Sequence, residues 1–301
     1  MGPSRARIAV AFAAVYVIWG STYLAIRYAI ATIPPFLMAG LRFVTAGAVL
    51  YAFARRRGAA RPDARHILPA FVIGGLMLLM GNGGVVLAER TVPSGLAALV
   101  VATVPLFMTA IESALARVWP SPIRLVALVV GFLAVGLLVD PSALGGGDAG
   151  GVVLLVVASA SWALGSLYSR RAPRPPGLMA TALQMIGGGI LQLVAGTVTG
   201  EWGAFHVSAF SPASVVALAY LIVFGSLLGF TAYAWLLQNV SATSASTYAF
   251  VNPVVAVFLG WLFAGEPLGA RTAIAAAAIV GSIVLITVDQ ARSATSPAKA
   301  R

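Results

Sequence analysis

Long apolar segments recur along the whole chain and are joined by short connections. They cover residues 8–30, 34–54, 67–88, 93–116, 122–140, 150–170, 177–199, 212–237, 242–264 and 268–288. Each segment is near or above the ~20 residues that an α-helix needs to cross a ~30 Å hydrocarbon core. Apolar and polar residues do not alternate within them, as they do in the strands of a membrane barrel. The pattern predicts an all-α polytopic membrane protein with ten transmembrane helices.

The composition agrees with a chain surrounded by lipid. Of the 301 residues, 60% are hydrophobic and only 9% are charged, whereas a soluble domain carries about 25% charged residues. So few charges cannot cover a surface in water, so the lipid bilayer is the expected partner. The first apolar segment is too long for a signal peptide and is followed by nine more. The absence of cysteine excludes disulfides and thiolate chemistry.

The distribution of positive charge predicts the orientation. If the N-terminus is cytoplasmic, 15 of the 19 Lys and Arg residues fall on the cytoplasmic side, two on the outer side and two within spans. This is the bias expected from the positive-inside rule, and it places both termini in the cytoplasm. The net charge of +11 is therefore a topology signal. No nucleic-acid partner is expected.

The two halves of the chain carry related motifs in the same order. Trp19 and Arg27 are spaced like Trp162 and Arg170, "LRF" at 41–43 corresponds to "LQM" at 183–185, and residues 92–107 correspond to 240–255. The motifs predict a five-helix repeat over residues 1–145, a second over 146–290, and a cytoplasmic tail over 291–301. Because five is odd, the second repeat enters the membrane inverted, an arrangement that recurs in secondary transporters with a midplane substrate site.

Several motifs together resemble the EamA family of the drug/metabolite transporter superfamily. They are "WGSTYLAIRYA", "LRF", "ERTVPSGLAALVVATVPLF" and "QNVSATSASTYAFVNPVVAVFLGWLFAGEPL". The resemblance extends over residues 8–290. It implies two five-helix bundles around a central cavity and export of small metabolites, often amino acids. Within the family, the chain is similar to bacterial exporters of aromatic amino acids.

Aromatic and polar residues inside the spans are the candidate substrate-binding residues. Membrane Trp residues usually gather at interfaces, so two Trp residues at mid-span are unusual, and a buried Arg in a span is a functional-site hypothesis by default. The candidates are Trp19, Tyr23, Arg42, Asn82, Trp162, Tyr168, Gln184, Tyr248 and Asn252. The alternative interpretation is structural, with the aromatic rings as core fillers and the polar groups as interhelical hydrogen-bond partners.

Other polar or helix-breaking residues in the spans have simpler interpretations. Arg27 lies near the end of its span and is interpreted as an interfacial anchor. Pro105 and Pro253 fall mid-span at matched positions and are predicted hinges, although a static kink is the alternative. Gly225 and Gly229 have the small-xxx-small spacing of close helix packing.

Acidic residues are scarce within the spans, which bears on energy coupling. Proton-driven pumps use ionisable groups inside the membrane, and Glu112 is the one acid clearly within a span. Glu112 is either a proton-coupling site or a residue near the cytoplasmic end that pairs with Arg117 or Arg124. The scarcity favours facilitated diffusion or exchange, with a proton-coupled antiporter using Glu112 as the alternative.

Other function classes fit the sequence poorly. No span has a central His for serine protease chemistry, and Asp140 and Asp289 occupy span ends, so an intramembrane enzyme is a remote alternative. No phosphate loop, metal cluster or nucleotide fingerprint is present, so no cofactor is expected. The sequence predicts a monomeric exporter of the bacterial inner membrane that moves a small metabolite by alternating access.

Overall fold

The computed structural model describes residues 4–138, 148–240, 248–266 and 269–295, and these residues form ten long helical segments. They are α1 Arg5–Ala29, α2 Pro35–Arg56, α3 Ala64–Ala88, α4 Ser94–Ala116, α5 Pro122–Leu138, α6 Asp148–Ser169, α7 Leu178–Val198, α8 Pro212–Asn239, α9 Tyr248–Ala264 and α10 Ala270–Thr295. No strand occurs in these ranges. The all-helical polytopic class is therefore confirmed.

Seven of the helices are long and apolar enough to cross a membrane. These are α1 to α4 and α6 to α8, while α5, α9 and α10 contain shorter apolar stretches. The predicted count of ten spans stays a prediction. The predicted repeat boundary at residues 145 and 146, and the start of the span at 242–264, lie outside the described residues.

The contacts between helices follow a pattern in which the most extensive contacts have counterparts when the helices of the two halves of the chain are interchanged. Three contacts join helices at corresponding positions, namely α2 with α7, α4 with α9 and α5 with α10. The contact of α1 with α8 corresponds to that of α6 with α3, and the contact of α1 with α9 to that of α6 with α4. Two halves related by a pseudo-two-fold axis are expected to pack in this manner.

Helix α7 packs closely against α2 and α3 because three consecutive glycines remove side chains from the contact. A Cβ added at Gly188 would lie 2.6 Å from the Leu78 side chain, and one at Gly189 would lie 2.7 Å from the backbone nitrogen of Val44. On the opposing helix, a Cβ at Gly74 would lie 2.5 Å from the Gly188 nitrogen. Small residues at such contacts let membrane helices approach and gain van der Waals packing.

Three helices contain π-helical segments, and a fourth is interrupted. The π-helical segments are Val15–Trp19 in α1, Gly75–Asn82 in α3 and Leu221–Phe230 in α8. Such segments are rare and often occur at functional sites. Helix α4 is interrupted after Val101, and Pro105 lies in the first turn of its second part, where a missing N–H is tolerated. Pro253 lies inside the uninterrupted helix α9.

The glycine contact between α3 and α7 gives the first testable expectation. Replacing Gly74 by Ala places a methyl group against rigid backbone, so we expect the protein to be less stable by about 1–3 kcal/mol and to unfold at a lower temperature in detergent. Gly75→Ala is the matched control, because its Cβ meets no atom nearer than 3.4 Å. Equal unfolding temperatures for the two variants, measured by size-exclusion chromatography after heating, would contradict the packing argument.

Candidate functional site

A cavity lies between seven of the helices, where the two halves of the chain meet. Its volume is about 70 Å³. Residues from α1, α2, α3, α4, α6, α8 and α9 line it, and of the nine predicted substrate-binding residues seven are among them: Trp19, Tyr23, Arg42, Asn82, Trp162, Tyr248 and Asn252. The structure therefore brings together residues that are up to 233 positions apart in the sequence.

Aromatic rings from four helices form one wall of the cavity. The ring centroids of Trp19 and Trp162 are 5.9 Å apart in an edge-to-face arrangement, and Tyr248 lies 5.4 Å from Trp19. Phe230 and Tyr233 of α8 complete the cluster, at 6.3 Å and 4.9 Å from Trp19. Edge-to-face pairs at such distances stabilise one another, and Trp19, Trp162, Phe230 and Tyr248 of this cluster line the cavity.

Helix α8 accommodates Trp19 at two glycines. The Trp19 Nε1–H donates to the backbone oxygen of Gly225 at 3.2 Å. A Cβ at Gly229 would lie 2.6 Å from the Trp19 Nε1 atom. The small-xxx-small pair of α8 therefore lies at a close helix contact, and the side chain it contacts is the cavity residue Trp19.

Arg42 is the one charged residue among the described residues that line the cavity. Its side chain is 3% exposed and its Nε donates to the Ser226 hydroxyl at 2.8 Å. Gly225 makes room for the guanidinium, since a Cβ there would lie 2.9 Å from Arg42 Nη2. No carboxylate of the described residues pairs with Arg42. A buried guanidinium is costly to leave without an anion, so the cavity can accept one.

Three buried polar atoms of residues that line the cavity have no hydrogen-bond partner among the described residues. They are Trp162 Nε1, a donor, and the pair formed by Arg42 Nη1, a donor, and Asn82 Oδ1, an acceptor. Unsatisfied buried groups are rare in native structures and are expected to bind water, an ion or a ligand. The pair can hold a molecule that carries an acceptor at one position and a donor at another.

Asn252 contributes to the cavity wall while also linking two helices. In the orientation that satisfies its hydrogen bonds, its amide nitrogen donates to the backbone oxygen of Tyr16 at 3.1 Å and to that of Tyr248 at 3.2 Å. Tyr16 lies in the π-helical segment of α1. Asn252 therefore has the interhelical contact that the structural interpretation predicted, and it also lines the cavity.

Tyr168 and Gln184 do not line this cavity. Tyr168 is 39% exposed and lies beside Glu112 and Arg170 at a second pocket. Gln184 is buried on α7, on the side where the Gln184 backbone oxygen approaches Gly74 of α3. A helix turns its residues to different sides, so lying on the same helix as Trp162 does not bring Tyr168 to the same site.

Two predictions about charged residues are corrected by the ion pairs. Glu112 is 46% exposed and lies 3.7 Å from Arg170, so its partner is neither Arg117 nor Arg124. Arg27 is more than an interfacial anchor, since its Nη1 donates to Glu266 Oε1 at 2.7 Å. These partners come from distant parts of the chain, and only the packing of helices reveals them.

Three residues of the site were missed by the sequence analysis. Phe230, Tyr233 and Ser226 all belong to α8, and the first two join the aromatic cluster while the third binds Arg42. The motif "FGSLLGF" was noticed only for its glycines. The signal that could have found the site is the same pair of glycines, because glycine in a helix marks the close approach of another group.

The all-helical fold, with seven helices long and apolar enough to cross a membrane, is that of a polytopic membrane protein, and a cavity with one buried cation and several aromatic rings lies between its two halves. The model of the EamA-like transporter family matches residues 6–140 and again residues 149–288. The chain belongs to the EamA-like transporter family, and it is a multi-pass membrane transporter rather than an enzyme.

The names of the relatives agree with this assignment, and a solved structure shares the fold. The chain is 41% identical over 279 residues to "Uncharacterized inner membrane transporter YedA" of Escherichia coli (strain K12), covering 92% of this chain and 89% of that protein. It is 24% identical to "Uncharacterized transporter YvbV" of Bacillus subtilis (strain 168), covering 94% and 92%. A crystal structure of similar fold has a TM-score of 0.68 at 21% identity and covers 97% of this chain and all of that one.

The contact between Arg42 and Ser226 gives a second expectation. Ser226→Ala removes the acceptor of a buried charged donor, so we expect a loss of about 1–3 kcal/mol in stability, read as a lower unfolding temperature in detergent. The control is Ser282→Ala, because Ser282 is equally buried but bonds only to Ala278 of its own helix. The argument is wrong if Ser226→Ala unfolds at the temperature of the control.

Proposed function

We propose that this protein is a secondary transporter that exports small amphipathic metabolites, most simply amino acids, by alternating access. The observation that carries the proposal is the buried Arg42 guanidinium, which lines the same cavity as the aromatic cluster and has an unpaired Nη1 donor. A site of this kind favours a molecule with an anionic group and an apolar part. The transporter names of the relatives agree with this class and specify no substrate.

The cavity groups match the parts of a zwitterionic amino acid. We assign the carboxylate to Arg42, because a guanidinium binds carboxylates through paired N–H groups. The ammonium group fits the free Oδ1 acceptor of Asn82. An apolar or aromatic side chain then lies against Trp19 and Trp162, whose faces attract rings and methylene groups alike.

The size of the cavity supports a cycle with moving helices. A volume of about 70 Å³ holds only a few water-sized groups, so a metabolite enters only when the surrounding helices separate. The exchange pattern of the helix contacts and the double family match support two inverted repeats that move against each other. Pro105 and Pro253 are the proposed hinges, and the interruption of α4 beside Pro105 supports the first.

The names of the relatives and the distribution of Lys and Arg support a membrane location and an orientation for the protein. The inner-membrane name of the Escherichia coli relative supports the bacterial inner membrane as the location. The excess of Arg and Lys on one side supports cytoplasmic termini. Short connections between the helices suit a monomer.

The acidic residues of the spans bear on the energy coupling of transport. None of the described residues lining the cavity is a carboxylate, which favours facilitated diffusion or exchange at the substrate site itself. The alternative that Glu112 drives proton antiport has little support, because this residue is exposed and paired with Arg170.

A counterflow screen tests the substrate class. Purified protein in liposomes preloaded with one unlabelled amino acid is expected to accumulate the same radiolabelled amino acid, with L-phenylalanine or another apolar amino acid exchanging fastest. Arg42→Gln is expected to slow exchange by about tenfold or more, since hydrogen bonds to charged groups contribute about 1.5–3 kcal/mol. Exchange of no amino acid by the wild-type protein would refute the substrate assignment.

Replacing a cavity tryptophan tests the aromatic wall. Trp19→Ala removes several ring contacts of about 0.5–1.5 kcal/mol each, so counterflow of L-phenylalanine is expected to fall by roughly tenfold. Trp119→Ala is the matched control, because Trp119 precedes α5 and is 86% exposed. Counterflow at the control rate for every amino acid would remove Trp19 from the site.

A further inference from the structure

One carboxylic acid is buried without a partner at the end of α3. Glu89 is 5% exposed, and neither of its oxygens has a hydrogen-bond partner among the described residues. An ionised carboxylate in this position lacks both water and a donor, which is strongly unfavourable. The protonated acid avoids most of that penalty.

A positively charged residue near Glu89 is Arg27, and it forms an ion pair with Glu266. Arg27 donates to Glu266 Oε1 at 2.7 Å, and the same oxygen accepts from the Ser94 nitrogen at 2.8 Å and the Ser94 hydroxyl at 2.7 Å. The other oxygen of Glu266 accepts from the Gly95 nitrogen at 2.9 Å. Glu266 therefore holds α1, the start of α4 and the end of α9 together, and no donor among the described residues bonds to Glu89.

The charged and titratable groups that face Glu89 come from several elements. Helix α1 contributes Tyr23 and Arg27, the end of α9 contributes Glu266, and Arg90 follows on the same chain segment. Helix α6 contacts this region through Gly151, which carries no titratable group. Burial raises the pKa of the Glu89 carboxyl well above its usual range, Glu266 raises it further, and Arg27 lowers it.

Glu89 is adjacent to the cavity but is not part of it. Its backbone nitrogen bonds to the oxygen of Val85 at 2.9 Å, and Val85 lines the cavity one helical turn away. Tyr23, another lining residue, is close enough for the charge of Glu89 to act on its hydroxyl. In the predicted orientation, Glu89, Arg27, Ser94 and Glu266 all lie at the outer ends of their helices.

We propose that Glu89 is a proton-binding site that couples closure of the outer end of the cavity to proton uptake. When the outer ends of α1, α3, α4 and α9 are apart, water reaches Glu89, and the carboxylate ionises and competes with Glu266 for Arg27. When the ends close, Glu266 takes Arg27, water is excluded, and Glu89 takes up one proton from the outer solution. When the inner end of the cavity then opens, water reaches Glu89 from the side of Val85 and accepts the proton, so that one proton enters the cytoplasm in each export cycle. This inference rests on the proposed transport function and changes its energy coupling.

Chemical labelling of the wild-type protein tests proton binding without any transport assay. A hydrophobic carbodiimide reacts with protonated carboxyl groups in apolar surroundings, and mass spectrometry of the protein in liposomes identifies the labelled residue. We expect labelling at Glu89 and none at the exposed Glu112, with Glu89 labelling retained at neutral pH and lost at alkaline pH. No labelling of Glu89 at any pH, or labelling that disappears near the ordinary glutamate pKa of about 4.3, would overturn the proposal.

A variant then tests coupling separately from substrate exchange. Glu89→Gln is nearly isosteric with the protonated acid, so L-phenylalanine counterflow is expected to stay within about twofold of wild type while the stimulation by a pH gradient is lost. Glu112→Gln is the matched control and is expected to keep that stimulation. Gradient stimulation that survives in Glu89→Gln overturns the proposal. If the wild-type protein transports no amino acid, the substrate assignment fails and the labelling result alone decides the role of Glu89.

Discussion

Arg42 carries a guanidinium group that is buried among apolar helices, and residues of α8 provide its partner and its space. A charged group within the hydrocarbon region of a bilayer cannot be hydrated by bulk water, so its hydrogen-bond partners must come from the protein. Ser226 supplies one acceptor, and Gly225 supplies the space in which the guanidinium lies. Both belong to the π-helical segment of α8, which also receives the indole of Trp19. One irregular segment thus positions the charge and the aromatic wall together, and it leaves one guanidinium nitrogen free for an anion.

Close approach of the helices is the second condition for this site. Helices surrounded by lipid gain little from the hydrophobic effect when they associate, so packing between small residues is decisive. The glycines of α7 bring α2 and α3 close to it, and α2 and α3 carry Arg42 and Asn82. Helices of one half of the chain pack against the corresponding helices of the other half. Residues far apart in the sequence therefore converge on one cavity. The ion pair of Arg27 with Glu266 ties α1 to the end of α9.

Residue type and spacing predicted the residues of the cavity better than they predicted the ion pairs. Trp19, Trp162 and Arg42 stood out because such residues are unusual in mid-span, and all three line the cavity. Tyr168 and Gln184 were chosen on weaker grounds, and the rotation of their helices turns them elsewhere. Glu89 directly follows the predicted span 67–88, and no motif in the sequence marks it as buried. Nothing along its own helix shows that Arg27 and Ser94 bond to Glu266 instead, since these contacts join parts of the chain more than 170 positions apart.

The sequence by itself determined the helical membrane class, the approximate limits of most helices and the membership of a transporter family. These follow from local properties, since the length and hydropathy of a segment decide whether it can reside in lipid. Tertiary structure decided which polar groups are paired and which are left free. That distinction depends on the rotation and close approach of helices, set by glycines and irregular turns, and no pattern along a single helix records it. The free groups at Arg42, Asn82 and Glu89 became visible only once the helices were assembled.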